Sequence, residues 1–221
     1  GLYTPGSIVK PIFAMAALKE GLITPTKKIY SKGFISIPNP FLPGKQSVFK
    51  DWKEHGWVDM RRALAVSSDV YFYAIGGGYE DQKGLGIDRL GEYSRMFGLG
   101  TTTGITLLKE GQGVIPSPAW KAENFKGDPW RIGNTYHSSI GQYGFLVTPL
   151  QMVRAAGAIA TDGKLIRPQI FRVDGHVDAE YTQIDISKEI FNVVKEGMRE
   201  GVMDSDGTAR ALNISEVTVA A

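Results

Sequence analysis

The sequence predicts a mostly α-helical chain with a few short strands, folded as one unit. Three observations lead there. Apolar residues recur at helical spacing in several stretches, among them Ile12, Met15, Ala16 and Leu18, and later Ile190, Phe191, Val193, Val194 and Met198. Ser117-Pro118 and Thr148-Pro149 each put a capping hydroxyl before a proline at the first helical position. Strand-like alternation is confined to short runs, most of them in a Pro- and Gly-rich excursion near the N-terminus.

Taken in order, the first helix covers residues 7–20. Pro5-Gly6 is a turn signal, and Pro11 fixes the start because proline is tolerated in a helix only within the first turn. Strands are expected at 28–30, 34–37 and 47–50. Asp59 is placed to cap a helix running to residue 75, after which Gly76-Gly77-Gly78 reads as a flexible loop. Residues 86–97 form an amphipathic helix stopped by Gly98. Pro149 opens a long helix to residue 160, ended by Asp162-Gly163. Residues 164–173 alternate like a strand broken at Pro168. Ser187 caps a helix over 188–201, and 217–221 resembles a strand. No repeat, low-complexity tract or domain boundary interrupts the chain.

Composition narrows the function. A chain of 221 residues can bury about 70% of its extended surface. Its 43% hydrophobic and 22% charged residues are ordinary for a globular protein. The net charge of +2 arises from interspersed signs, so no nucleic-acid partner is indicated. No apolar run approaches the ~18–20 residues of a membrane helix, and no secretory signal is present. Without cysteine there are no disulfides or thiolate metal sites. Asp51 and His55 offer half a metal site at most. Lacking further ligands at suitable spacing, they read as a surface pair, and no cofactor is expected. Trp52, Trp57, Tyr71, Phe72 and Tyr73 read as core and cleft wall. Gly1 at the start and 217–221 at the end look cut from something longer.

The chemistry begins at Ser7-Ile8-Val9-Lys10. A serine and a lysine three residues apart at a helix start share one face. The unpaired N–H groups and positive dipole end there disfavour a protonated lysine and favour an oxyanion. A neutral lysine can take the serine proton. Chance alone supplies about one Ser-x-x-Lys in a chain this long, and Ser47-Val48-Phe49-Lys50 is such a decoy. Further along, Ser67-Ser68-Asp69 interrupts an apolar, aromatic run. Its polar groups must face a polar cleft or one another, since each costs about 1–3 kcal/mol if buried unpaired. The histidines are His55, His137 and His176. With no Gly-x-Ser-x-Gly elbow, a histidine-based serine hydrolase is disfavoured, the adjacent His137-Ser138-Ser139 included.

Together these motifs resemble the class B penicillin-binding proteins. Serine acyl-transferases that use lysine carry Ser-x-x-Lys, then Ser-x-Asn, then Lys-Thr-Gly. Ser67-Ser68-Asp69 is similar to the second motif with aspartate replacing asparagine. The stretch Gly141-Gln142-Tyr143-Gly144-Phe145-Leu146-Val147-Thr148-Pro149-Leu150-Gln151 resembles a block of that family preceding a long helix. Leu2-Tyr3-x-Pro5-Gly6-Ser7-x-x-Lys10-Pro11, Phe49-x-Asp51-Trp52 and Gly207-Thr208-Ala209 fit it too, in order along nearly the whole chain. The aspartate-bearing second motif is similar to that of the penicillin-binding protein 2 branch, the transpeptidases of cell elongation.

The resemblance implies roles. Ser7 attacks the penultimate D-Ala carbonyl of a peptidoglycan stem peptide, and Lys10 is the general base. Ser67 relays the proton toward the leaving D-Ala, and Asp69 holds Lys10 and the substrate amide. The backbone N–H of Ser7 supplies an oxyanion-hole donor, typically worth ~3–4 kcal/mol. A β-lactam traps the acyl-enzyme. The implied partners are stem peptides, β-lactam antibiotics and, through regions outside this chain, a membrane glycosyltransferase. The implied location is the periplasm or cell surface, anchored to the inner membrane in the full-length protein.

No Lys-Thr-Gly or Lys-Ser-Gly occurs in the sequence. The resemblance therefore implies residues 1–221 of a partial transpeptidase domain, without pedestal, membrane anchor or Lys-Thr-Gly strand. As a fold it is a fragment of the α/β β-lactamase/transpeptidase-like fold, mostly helical, with most of the central sheet missing. Such a piece is expected to fold poorly and be inactive alone, because its helices lose apolar surface to pack against. Two other readings stand beside it: a serine β-lactamase, and a non-catalytic β-lactam sensor or scaffold. Keeping Ser7, Lys10 and Ser67 together argues against a scaffold, and the Gly-Gln…Thr-Pro-Leu-Gln block favours the transpeptidase.

Overall fold

The computed structural model describes residues 1–105, 109–170 and 180–221. A single 3-10 turn, Gly6–Val9, leads into α1, Lys10–Lys19, with Pro11 in the first helical turn as its fixed φ requires. Ile12 through Ala17 are all buried, so α1 is apolar on every side and forms the central rod of the core. Four short strands follow: β1 (Ile29–Ser31), β2 (Phe34–Pro38), β3 (Gln46–Lys50) and β4 (Gly56–Val58). β2 and β3 form an antiparallel hairpin with Ile35 opposite Phe49, and β1 pairs with β4, Ile29 opposite Val58.

The helices α2 (Met60–Ala65), α3 (Asp69–Gly77), α4 (Gly86–Met96), α5 (Pro118–Asn124), α6 (Ile132–Ser139) and α7 (Pro149–Ala160) come next. The strands β5 (Lys164–Ile166) and β6 (Tyr181–Gln183) pair antiparallel, and α8, Lys188–Met203, closes the helical set before a 3-10 turn at Arg210–Leu212. α8 lies along α2 and α1, while α3 and α4 pack on the other sides of α1. The core joins Phe13, Tyr71, Phe72, Phe97, Phe145 and Phe191, each side chain contributing about 1.5–3 kcal/mol on burial. Among the described residues the sheets are three two-stranded antiparallel pairs. This is the mostly helical chain without a large sheet that the sequence predicts.

Three of the four predicted caps form; Ser187 stands at the N-cap of α8, but its side chain accepts no capping hydrogen bond. Asp59, Ser117 and Thr148 accept hydrogen bonds from the backbone N–H of Arg62, Trp120 and Gln151, and Gln151 completes a capping box on Thr148. Gly98 stands at φ +78° after α4 as the stop signal requires.

Several expectations need correction. The helix expected over 59–75 is two helices, broken at residues 66–68. Gly76 and Gly77 are not loop; they belong to α3, which packs so closely on α6 that a Cβ on Gly76 would stand 2.3 Å from Ser139 Cβ. The sequence alone predicts no helix for α6, whose Gly, Asn, Thr and Ser have weak helical propensity. Of the strand expected at 164–173, residues 164–166 form β5, 167–170 are not strand, and 171–173 lie outside the described residues, as does His176. Residues 217–221 are no strand: Ala221 N–H donates to Met198 O and the Arg199 guanidinium to Val219 O, so this segment runs against α8. A strand needs a strand beside it to take its backbone groups, and here a helix stands there. Trp52 and Trp57 are 55% and 64% exposed, not core; Tyr71, Phe72 and Tyr73 are buried as expected.

Candidate active site

Ser7 sits in the 3-10 turn, exposed, one turn ahead of α1, and Lys10 is the first residue of α1 with its side chain buried. Both line a cleft of about 510 Å³ together with Ser67, Met152, Thr208 and Ala209. The turn is held from two sides. Tyr3 exchanges backbone hydrogen bonds with Val147 at 2.8 and 2.9 Å, and Gly6 N–H donates to Gly141 O. Gly141, at φ +71°, lies so near that a Cβ there would stand 2.2 Å from Gly6 O. The block at 141–151 thus braces the turn that carries Ser7. Its Gln151 is fully buried, donating to Thr101 O and Gln112 O and accepting from Thr148 N–H.

Ser67 stands at the break between α2 and α3. α2 ends in a Schellman arrangement: Ser68 N–H donates to Ala63 O and Ser67 N–H to Leu64 O. Ser67 occupies the left-handed position of that motif, at φ +52°, where glycine is the usual residue. A serine there accepts backbone strain and brings a hydroxyl to the cleft. Ser68 then caps α3, accepting from Tyr71 N–H, and Asp69 opens that helix.

These residues converge on Lys10. Its Nζ donates to Asp69 Oδ1 at 2.6 Å, to Ser67 O at 2.8 Å and to Ser67 Oγ at 3.0 Å, with the Phe72 ring 5.3 Å away. None of its hydrogen bonds goes to Ser7, which lines the same cleft. Burial lowers the Lys10 pKa, with Asp69 and Asp51 opposing it. Burial also raises that of Asp69, with Lys10 opposing it. In both partners desolvation outweighs the mutual attraction, as expected of a pair withdrawn from water. Burial thus pushes both partners toward their neutral forms while each opposes the shift of the other.

Asp51 and His55 are the largest departure from the sequence-based expectation. They are no surface pair: the side chains are 0% and 1% exposed, with His55 Nε2 3.5 Å from Asp51 Oδ1 and without a hydrogen bond. Asp51 Oδ2 accepts from Ser68 Oγ at 2.9 Å, Val70 N–H at 3.0 Å and Ser31 Oγ at 3.3 Å, while Oδ1 accepts from Trp52 N–H. Burial lowers the His55 pKa against the pull of Asp51. Among the described residues no group of three His, Asp or Glu side chains gathers to hold a metal.

The disfavoured candidates sit elsewhere. Ser47 and Lys50 lie three apart on β3, on opposite faces of the strand. Ser138 and Ser139 donate to the carbonyls of Asn134 and Tyr136 rather than to His137, whose ring packs against Phe49 and Tyr73.

Residues 1–221 match the family model of the penicillin binding protein transpeptidase domain. The peptidoglycan D,D-transpeptidase MrdA of Haemophilus influenzae is 34% identical over 220 residues, covering 95% of this chain and 32% of that protein. Its Salmonella typhimurium counterpart is 41% identical over 172 residues, covering 77% and 26%. The solved penicillin-binding protein PBP2 of Helicobacter pylori superposes with a TM-score of 0.84 at 34% identity, covering 100% of this chain and 39% of that one. The chain spans about a third of the length of the curated relatives it matches. Its sequence over full length and its helical scaffold agree, and the chain belongs to the penicillin-binding protein transpeptidase domain family.

Proposed function

We propose that this chain carries the acylating half of a peptidoglycan D,D-transpeptidase of the cell-elongation type. One observation carries the reading: a buried lysine bonded to Ser67 and Asp69 forms the wall of a cleft whose mouth holds Ser7. Ser7 Oγ attacks the penultimate D-Ala carbonyl as its proton passes to Lys10 Nζ. The Oγ–C bond forms, the C–N bond breaks, and the terminal D-Ala leaves as an amine that takes its proton through Ser67 Oγ. An amine of a neighbouring stem peptide then displaces Ser7 and completes the cross-link. A β-lactam acylates the same oxygen but leaves no small fragment free to depart.

The relatives' names support this substrate class. The complete protein would work at the outer face of the inner membrane, anchored by a segment outside these residues; no described helix is long and apolar enough to cross a membrane. Helicobacter pylori PBP2 has been solved in complex with MreC, and another similar structure is a peptidoglycan synthase complex that coordinates polymerization and crosslinking; both support work within an assembly, in which we place a membrane glycosyltransferase. The 221-residue segment alone lacks Lys-Thr-Gly and hence a second oxyanion donor, so we place efficient catalysis in the complete protein only. The complete protein, given a stem peptide ending in D-Ala-D-Ala and an amine acceptor, should yield cross-linked product. Rapid turnover of a chromogenic cephalosporin with no cross-linking would favour a β-lactamase, and neither reaction a sensor.

A further inference from the structure

The motif Phe49-x-Asp51-Trp52 has no part in the mechanism above, yet two of its residues grip the site from behind. Trp52 Nε1 donates to Val66 O at 3.1 Å, and Asp51 Oδ2 accepts from Ser68 Oγ and Val70 N–H. These bonds fall on either side of Ser67. Its left-handed φ of +52° is uncommon for a residue with a Cβ, and such a state persists where its surroundings over-determine it. The same backbone state turns both Ser67 O and Ser67 Oγ onto Lys10 Nζ. Asp51 is itself anchored: its N–H donates to Gly33 O, and its side chain is fully enclosed by Ser31, Ser68, Trp52 and His55.

We propose that Asp51 and Trp52 form a clamp that holds Ser67 in its left-handed state, making them positioning residues for the proton relay through Ser67. They touch neither Ser7 nor Lys10 by hydrogen bond and grip the chain through the groups at 66–70; the Asp51 charge also reaches Lys10 through space, so W52F, which leaves that charge in place, is the cleaner test of the grip. A loosened clamp lets the chain at 66–68 relax toward an ordinary φ and swings the hydroxyl off Lys10. The assignment of a relay rests on the function proposed above; the assignment of a clamp does not.

Two variants and two readouts separate these. Trp52→Phe deletes one N–H from a half-exposed ring, and Asp51→Asn replaces a carboxylate acceptor by an amide of the same shape. In the complete protein, fluorescent penicillin should be captured with a saturating acylation rate about tenfold lower for W52F and about a hundredfold lower for D51N, since small misplacements cost on that order. The dissociation constant of the pre-acylation complex should stay within about threefold. Thermal melting reports the clamp independently of catalysis. In a Ser67→Gly background, where glycine adopts φ +52° freely, the Tm loss caused by D51N should shrink by at least about half. Acylation at the parent rate in W52F, or slowing that resides wholly in weaker binding, would overturn the positioning role. An equal Tm loss in both backgrounds would overturn the clamp. Should D51N not fold, W52F in the two backgrounds separates the same outcomes, and a parent protein that is never acylated would sink the functional reading rather than the clamp.

Discussion

Replacing Asp69 by asparagine removes the charge that stands 2.6 Å from Lys10 Nζ and leaves the shape of the site intact. At that separation and an effective dielectric near 20 the gross attraction is about 6 kcal/mol. Burial offsets it, since the Lys10 pKa is lowered and that of Asp69 raised with the pair formed. Breaking a buried pair from one side costs about 3–5 kcal/mol. Asp69 is 20% exposed and asparagine keeps an acceptor, so the lower figure, about 3 kcal/mol, applies. Lys10 relieves the cost by shedding its proton, and 3 kcal/mol corresponds to about 2 pH units. If neutral Lys10 is the base, acylation rises with pH through the Lys10 pKa. Because Asp69 holds that pKa up, the acid limb of the profile should move down by about 2 pH units in D69N. The melting temperature should fall by about 6–12 °C where the parent's Asp69 is ionised and the variant's Lys10 still protonated, and by less above the new Lys10 pKa, where the lysine is already neutral, or in acid, where the parent's Asp69 is itself protonated. The assay is the rate of fluorescent-penicillin capture from pH 5 to 10, paired with melts at each pH. An acid limb that stays in place, or moves up, would refute Lys10 as the group whose deprotonation enables acylation.

Other perturbations follow from the same geometry. Gly141→Ala should cost about 2 kcal/mol or more and slow acylation, because a Cβ 2.2 Å from Gly6 O pushes on the turn bearing Ser7 and alanine disfavours φ +71°; chemical denaturation and penicillin capture measure both. Gln151→Ala should cost about 2–4 kcal/mol, since it strands the carbonyls of Thr101 and Gln112 and removes half the capping box, visible as a lower denaturation midpoint at unchanged slope. The folded-state pKa of His55 is depressed, so the unfolded chain binds its proton first. Stability should therefore decline as pH falls below about 6.5 toward the lowered folded-state pKa, and His55→Gln should flatten that decline in melts across the window.

What could be read from the chain alone was what short-range chemistry decides. The caps at Asp59, Ser117 and Thr148 and the stop at Gly98 depend on neighbours within four residues, and each formed. Of the four residues singled out for catalysis, Ser7, Lys10 and Ser67 line one cleft and Asp69 bonds Lys10, because motif order carries information that composition does not. Failures came where distant residues decide. The break at 66–68 is invisible in an unbroken apolar run; it is held by Asp51 and Trp52, about 15 residues upstream. α6 has a sequence that favours turns and is helical through its packing on α3. Asp51 and His55 read in sequence as a solvated i,i+4 pair, and only the approach of Ser31 at the end of β1 and of Ser68 and Val70 at the start of α3 encloses Asp51.

The proposed mechanism makes Ser7 Oγ the oxygen that is acylated. Mass mapping of the complete protein after brief exposure to benzylpenicillin tests it most directly. The covalent adduct should lie on the peptide containing Ser7, in about one-to-one stoichiometry, and vanish in Ser7→Ala. An adduct on Ser47, Ser67 or Ser139, or labelling that survives Ser7→Ala, would contradict the account.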